Sequence, residues 1–108
     1  MENPDISAKP TALNTVDRLI HEPARFQVMA LLYVIESADF VFVTQQTGLT
    51  WGNLSAHVTK LEDGGYLKVE KGFKGKRPQT MLSLTRQGRK AFQVYRQSMQ
   101  KMLDELPE

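Results

Sequence analysis

Small polar side chains are grouped between residues 50 and 60, at a spacing that suits hydrogen bonding to a ligand. At about 100° per residue, the stripe formed by Leu54, Val58 and Leu61 faces a core, and the opposite face lacks long side chains. The residues away from the core are Gly52, Asn53, Ser55, Ala56, Thr59 and Lys60, and Thr50 precedes them as an N-cap. An asparagine amide matches the edge of adenine, and hydroxyls and amines reach bases or phosphate. The pattern predicts a helix that enters a DNA major groove, whereas an ordinary surface helix would carry longer charged residues.

A second candidate site is the cationic turn Lys74-Gly75-Lys76-Arg77-Pro78. Lys74, Lys76 and Arg77 are predicted to contact phosphate or a minor groove. The surrounding charge agrees, because residues 51–90 hold nine Lys or Arg against three acidic residues in a chain of net charge +2. The alternatives are a solvated basic surface and a hairpin that is merely soluble.

Enzymatic chemistry finds little support in the sequence. His21 and His57 are the only histidines, and nothing pairs a nucleophile with a base and an orienting acid. The chain has no cysteine, which excludes disulfides and thiolate metal sites. We expect no catalytic residue, metal or cofactor. We also expect Trp51 and His57, at the edges of the core stripe, to be packing residues.

The elements that must position these sites follow from periodicity and capping. The sequence predicts a loose arm over residues 1–10 and a single domain over 11–108, mainly α with a small β-hairpin. Predicted in order are a helix near 13–21, a second from Pro23 to Ser37-Ala38-Asp39, an extended bridge at Asp39-Phe40, a third helix closed by Gly48, a fourth from Trp51 to Asp63, strands over 66–70 and 80–84 joined by a turn at 75–78, and a last helix over 86–106. That order is a winged helix-turn-helix.

The last predicted helix carries an apolar stripe at steps of three and four residues. Its members are Phe92, Tyr95, Met99, Met102 and Leu106. A terminal helix of so small a domain has little core left to cover, so we predict that residues 86–106 form a homodimer interface together with Leu13 and Val16. Packing of the stripe on its own domain is the alternative.

At this point the chain resembles the winged-helix transcriptional regulators related to the MarR and ArsR groups. The segments that carry the resemblance, over roughly His21 to Phe92, are Leu49–His57, Lys60-Leu61-Glu62, Gly65-Tyr66, Lys71–Pro78, Leu84-Thr85 and Gly88-Arg89. The resemblance implies a dimeric regulator whose 51–63 helix reads the major groove while the wing grips the backbone. The chain is shorter than typical MarR proteins and lacks ArsR-type cysteine ligands.

Taken together, the sequence predicts a homodimeric, sequence-specific regulator of transcription, in the first place a repressor, on a pseudo-palindromic operator of double-stranded DNA. The runner-up is a winged helix that serves as a protein–protein or assembly module. A small-molecule effector stays open, because Phe26, Met29, Tyr33 and Tyr95 can line a cleft or form core. No apolar run reaches the length of a membrane span, and we expect a cytoplasmic protein.

Overall fold

Four helices and three strands make up residues 16–108, the part of the chain that the computed structural model describes. In chain order they are α1 (Pro23–Ile35), β1 (Ser37–Asp39), α2 (Phe40–Thr47), α3 (Trp51–Asp63), β2 (Leu67–Lys74), β3 (Arg77–Leu84) and α4 (Arg86–Glu105). The predicted class, mainly α with a small β-hairpin, is confirmed. The predicted arm of residues 1–10 and Leu13 lie outside the described residues.

Each helix begins at a side-chain oxygen that accepts a hydrogen bond from a free backbone N–H of the first turn. Thr50 caps α3 by accepting from the Asn53 N–H at 3.2 Å, and Thr85 caps α4 by accepting from the Gly88 N–H at 2.9 Å. Gly48 closes α2 in the left-handed conformation, with φ of 72°. Only two residues then separate α2 from the cap of α3, and the predicted sharp helix-turn-helix is confirmed.

The helix predicted over 13–21 is wrong in its described part. Residues 18–20 form a single turn instead, because the Asp17 carboxylate accepts from the N–H groups of Leu19 and Ile20 at 2.9 and 3.2 Å. Such local bonds compete with helix hydrogen bonding. The apolar spacing correctly indicated buried residues there but not their backbone conformation.

The sheet has the order β1-β3-β2 with both pairings antiparallel. The turn of the β2–β3 hairpin comprises Gly75 and Lys76 alone, since Lys74 pairs with Arg77. The prediction of a four-residue turn at 75–78 was therefore too long. Pro78 is tolerated inside β3 because β1 pairs only with residues 81–83, so its missing N–H faces no second strand.

One extended strand replaces the predicted bridge at Asp39-Phe40. β1 ends at Asp39, whose carboxylate accepts from the Val41 N–H at 2.7 Å, so that Phe40 already belongs to α2. The apolar core lies between the sheet and the four helices. Its fully buried large side chains are Ile20, Val28, Met29, Leu32, Val43, Leu54, Leu61 and Leu82.

Candidate nucleic-acid interface

Helix α3 is fixed to the domain by one face only. Leu54, Val58 and Leu61 are buried, as the periodicity predicts. The structure leaves the opposite side exposed, and the predicted site residues on it are Thr50, Gly52, Asn53, Ser55, Ala56, Thr59 and Lys60. The sequence-predicted members of the helix therefore share one solvent-facing surface, the α3 face.

The α3 face combines small size with free hydrogen-bonding groups. A Cβ placed on Gly52 would meet no atom within 4 Å, so the first turn is open to a close neighbour. The Thr59 hydroxyl donates to the Ser55 carbonyl at 3.0 Å, which leaves its lone pairs to accept from a ligand. The Thr50 oxygen already accepts as the cap of α3, so its remaining capacity is mainly as a donor.

A polar cluster beneath α3 ties the helix to the start of α1. Arg25 Nη1 donates to His57 Nδ1 at 3.2 Å, and its Nε donates to the Leu19 carbonyl at 2.6 Å. His57 Nδ1 also lies 3.8 Å from the Glu22 carboxylate. Desolvation opposes ionisation of Glu22, but the hydrogen bond from the Arg25 N–H and the positive charge of Arg25 outweigh it and lower its pKa. His57 is a partly buried packing and hydrogen-bonding residue.

Trp51 was predicted to be a packing residue at the edge of the core, but it is more exposed than that prediction implies. Its ring contacts Phe40, with centroids 4.3 Å apart, but 59% of Trp51 is exposed. The residue therefore covers Phe40 with one side and presents its other side next to the α3 face. The sequence signal for this exposure is its position as the first residue of α3, where the core no longer surrounds the helix.

The wing, defined as the β2–β3 hairpin, carries the cationic turn. All its predicted contact residues, Lys74, Lys76 and Arg77, are exposed, and no ion pair involves them among residues 16–108. Asp39 anchors the base of the wing by accepting from Gln79 Nε2 at 3.0 Å. That bond, the Val41 N–H and the Lys74 charge hold the pKa of Asp39 below its usual range.

A groove of about 260 Å³ separates α3 from the wing. Ser55 and Thr59 lie on the helix side, while Lys71 and Thr80 lie on the sheet side. Lys71 was missed by the sequence reasoning, although strand alternation from Leu67 through Val69 places it on this inner face. The groove brings Lys71 between the two predicted contact surfaces, with Glu62 of α3 also on its wall.

The apolar stripe of α4 divides into a covered and an uncovered part. Phe92 and Tyr95 are buried in their own domain, where Phe92 packs on Tyr33 with centroids 5.1 Å apart and the Tyr95 hydroxyl lies 2.9 Å from His21 Nδ1. Val16 is likewise buried in the core of its own chain. These three predicted interface residues therefore have little surface left for a partner.

Further along α4 the stripe is more open. Met99 and Met102 are half-buried, and Leu106 is 60% exposed. A groove of about 530 Å³ runs beside them, lined by Phe26, Phe92, Tyr95, Arg96, Met99, Gln100 and Leu103. The apolar side chains in this region, Met99, Met102, Leu103 and Leu106, are called the distal stripe below.

Residues 16–108 contain no group of three or more His, Asp or Glu side chains arranged to hold a metal ion. None of the helices within that range has the length and apolar character needed to cross a membrane.

Comparisons with known proteins place this geometry in a family. Residues 24–103 match the family model described as a winged helix DNA-binding domain. An uncharacterized protein of Methanocaldococcus jannaschii is 33% identical over 78 residues, which cover 72% of this chain and 85% of that protein. A transcriptional regulator homologue from Pyrococcus horikoshii OT3 has a similar structure, with a TM-score of 0.82 and 26% identity over 88% of this chain and 98% of that one.

A more distant protein whose structure was solved with DNA has the same fold. The structure of reduced AbfR bound to DNA gives a TM-score of 0.59 at 18% identity, over 77% of this chain and 55% of that one. At that identity the likeness concerns the fold alone. The fold and family implied by the sequence resemblance are confirmed: this chain belongs to the winged helix DNA-binding domain family and has the architecture of a DNA-binding transcriptional regulator.

Proposed function

We propose that this DNA-binding regulator acts as a sequence-specific homodimer on a pseudo-palindromic operator. The observation that carries the proposal is the position of a small, polar and exposed α3 face beside a wing with three exposed cations. Helix α3 enters the major groove with its first turns, while the wing follows the adjacent backbone. We assign repression as its effect on transcription, because a dimer bound at a promoter blocks the polymerase without any further contact.

Each residue of the α3 face has a role that follows from its chemistry. Asn53 presents the paired donor and acceptor that fit adenine, and Ser55 and Thr59 contact base edges or phosphate. Gly52 and Ala56 allow the helix to lie deep in the groove. The remaining two, Thr50 at the N-terminus and Lys60 on the shoulder, contact phosphate.

The wing supplies affinity that does not depend on sequence. Lys74 and Lys76 contact phosphates, and Arg77 reaches a phosphate or the minor groove. Lys71 lies in the groove between α3 and the wing, where it faces the DNA strand that passes between these two elements. Each cation that neutralises a phosphate adds about one unit to the slope of log affinity against log salt.

The homodimer places two α3 faces on the two halves of the operator. Its contact surface is the distal stripe, in which Met99, Met102 and Leu106 retain exposed apolar area. Phe92 and Tyr95 support that surface from below as part of the protomer's own core.

A neighbour of the same fold, NadR, was solved in complex with 4-hydroxyphenylacetate. It is 19% identical, with a TM-score of 0.65 over 92% of this chain and 72% of that one. We extend the proposal to this chain: a small molecule that binds the protein regulates its affinity for DNA.

Base reading is tested by Asn53→Ala, with affinity measured by fluorescence anisotropy on the best operator and on random duplex. The variant should lose about 1–3 kcal/mol on the operator and almost nothing on random DNA, with selectivity relaxed at one base pair in each half-site. Gln97→Ala is the matched control, because it removes an exposed amide on α4, away from the α3 face. It should leave both affinities unchanged.

Two other outcomes of this experiment carry information. An equal loss on every sequence would make Asn53 a phosphate contact, and base reading would have to come from Ser55 or Thr59. If the unaltered protein binds no duplex DNA at all, the proposed function is wrong and a protein–protein role replaces it.

A further inference from the structure

The wing has an inner face that continues the core face of the sheet. Side chains alternate between the two faces of a strand, so the cross-strand pairs at every second position share one side. The pairs on this side are Leu67 with Leu84, Val69 with Leu82, Lys71 with Thr80, and Phe73 with Pro78. The first two pairs pack in or against the core, and the third lines the groove beside α3.

The fourth pair, Phe73 and Pro78, lies beyond the reach of α3. Phe73 is 74% exposed, and Pro78 across from it is exposed as well. Phe73 and Pro78 together leave an apolar surface open to solvent next to the tip of the hairpin. No residue among those described, 16–108, buries this pair.

The charge around the pair indicates what covers it. Lys71 precedes it on the same face, and Lys74, Lys76 and Arg77 surround the neighbouring turn. A partner that fits must offer apolar surface bordered by closely spaced negative charge. The wall of a DNA minor groove does so, because deoxyribose rings lie between successive phosphates, and apolar side chains are used by proteins that bind there.

We propose that Phe73 is a DNA-contacting residue that packs, together with Pro78, against deoxyribose rings at the minor-groove edge. The inference rests on the proposed function, since it needs α3 in the adjacent major groove. Lys71 holds the phosphate that passes between α3 and the wing, and this positions the inner face of the hairpin against the sugars. The wing therefore binds in two ways, through cations on phosphate and through an apolar pair on sugar.

These two modes differ in their response to salt. Cation–phosphate contacts release counterions, so their loss lowers the dependence of affinity on salt. Burial of a phenyl ring against sugar releases no counterion, so its loss lowers affinity by the same factor at every salt concentration. The salt slope thus separates the role of Phe73 from that of its charged neighbours.

The test compares Phe73→Ala and Phe73→Leu with the double variant Lys76→Ala and Arg77→Ala, using the full chain and duplex DNA over a range of salt. Phe73→Ala should weaken binding about tenfold, equivalent to ~1.4 kcal/mol, with an unchanged salt slope. Phe73→Leu should recover most of the affinity. The double cation variant should instead flatten the slope by about two units. Val34→Ala is the matched control, since Val34 is 78% exposed but lies on α1, and its affinity should match the unaltered protein.

Three results would overturn the inference while leaving the proposed function standing. In the first, Phe73→Ala binds DNA as tightly as the unaltered protein. In the second, its loss of affinity comes with a flatter salt slope, as for the cations. In the third, Phe73→Ala changes the sedimentation coefficient, which would assign the residue to a contact between protein copies. A protein that binds no DNA in any form contradicts the proposed function itself.

Discussion

The first half of α4 is held by its own domain on several sides, whereas the second half carries a similar apolar stripe with far less cover. In the first half Gly88 lies against the backbone of Tyr66, and Phe92 and Tyr95 are buried among aromatic rings. In the second half Leu103 is 57% exposed, and Leu106, the residue just after the helix, is 60% exposed. The same helix therefore stabilises the domain at one end and offers an uncovered surface at the other.

The comparison shows what helical periodicity does and does not determine. The three- and four-residue spacing correctly marks one face of α4 as apolar over its whole length. It carries no information on whether a residue's own domain or a partner covers that face. The two halves are consequently expected to respond to substitution in different ways, one through folding and the other through association.

The largest expected effect is at Gly88, in the covered half. A Cβ added there would overlap the Tyr66 carbonyl oxygen, which is backbone and cannot rotate away. Gly88→Ala should lower the free energy of unfolding by about 3 kcal/mol in urea titrations. Gly52→Ala is the control, because a Cβ there meets nothing within 4 Å, and it should raise stability by about 0.5 kcal/mol. Equal responses of the two glycines would contradict the tight contact.

The next effect concerns the uncovered half. Met99→Glu combined with Met102→Glu should leave the fold intact, because both side chains are only half-buried, and should convert a dimer into a monomer. Light scattering on the order of 10 μM protein would show the change in mass. Operator affinity should fall about 100-fold, since the two half-sites would then be bound independently.

The control for that pair is Gln97→Glu, which adds a charge in the same region of α4 but outside the groove of the distal stripe. It should remain dimeric. A doubly charged variant that stays dimeric, or an unaltered protein that is monomeric at the same concentration, would show that the distal stripe is not the dimer contact.

The smallest effect is a pH dependence at Tyr66, whose backbone packs against Gly88 in the covered half of α4 and whose hydroxyl contacts Asp17. Burial, the hydrogen bond that its hydroxyl donates to Asp17 and the charge of that carboxylate raise the pKa of Tyr66 to about 12. The ordinary value is about 10. The folded protein keeps this proton while the unfolded chain loses it, so the stability contributed by Tyr66 is complete below about pH 10 and is lost as the pH rises toward about 12.

Tyr66→Phe should therefore flatten the fall in unfolding free energy between about pH 10 and about pH 12. A residual slope should remain from Tyr95, whose pKa is raised by burial and by the Asp17 charge. Parallel curves for Tyr66→Phe and the unaltered protein would mean that the Tyr66 proton is not linked to folding.

Much of α3 could be predicted because local signals agreed with one another. The cap at Thr50, the buried stripe from Leu54 to Leu61 and the glycines after Asp63 all set the same bounds, and the structure confirms them. The exposure of its polar face follows from the same stripe. Which of those side chains contact bases stays a prediction, since only a DNA complex or a binding measurement tests it.

Other features depended on competition between alternative hydrogen bonds and strand registers, which the sequence pattern does not resolve. Asp17 captures backbone N–H groups and replaces a predicted helix with a turn. In the wing, Gly75, Lys76, Arg77 and Pro78 are all compatible with a turn, and the strand register decides that only the first two form it. Position and alternation place Trp51 at the start of α3 and Phe73 on the inner face of the wing, but the packing of the elements decides how far the core extends to cover them.

Recognition of a symmetric site by two copies of α3 is tested most directly by selecting bound sequences from random duplex DNA. A homodimer should enrich an inverted repeat whose half-sites are centred about 10 base pairs apart, or a multiple of that spacing. The same selection with the Met99→Glu and Met102→Glu variant should enrich single half-sites. Enrichment of a lone half-site by the unaltered protein, or no enrichment of any sequence, would contradict symmetric reading by a dimer.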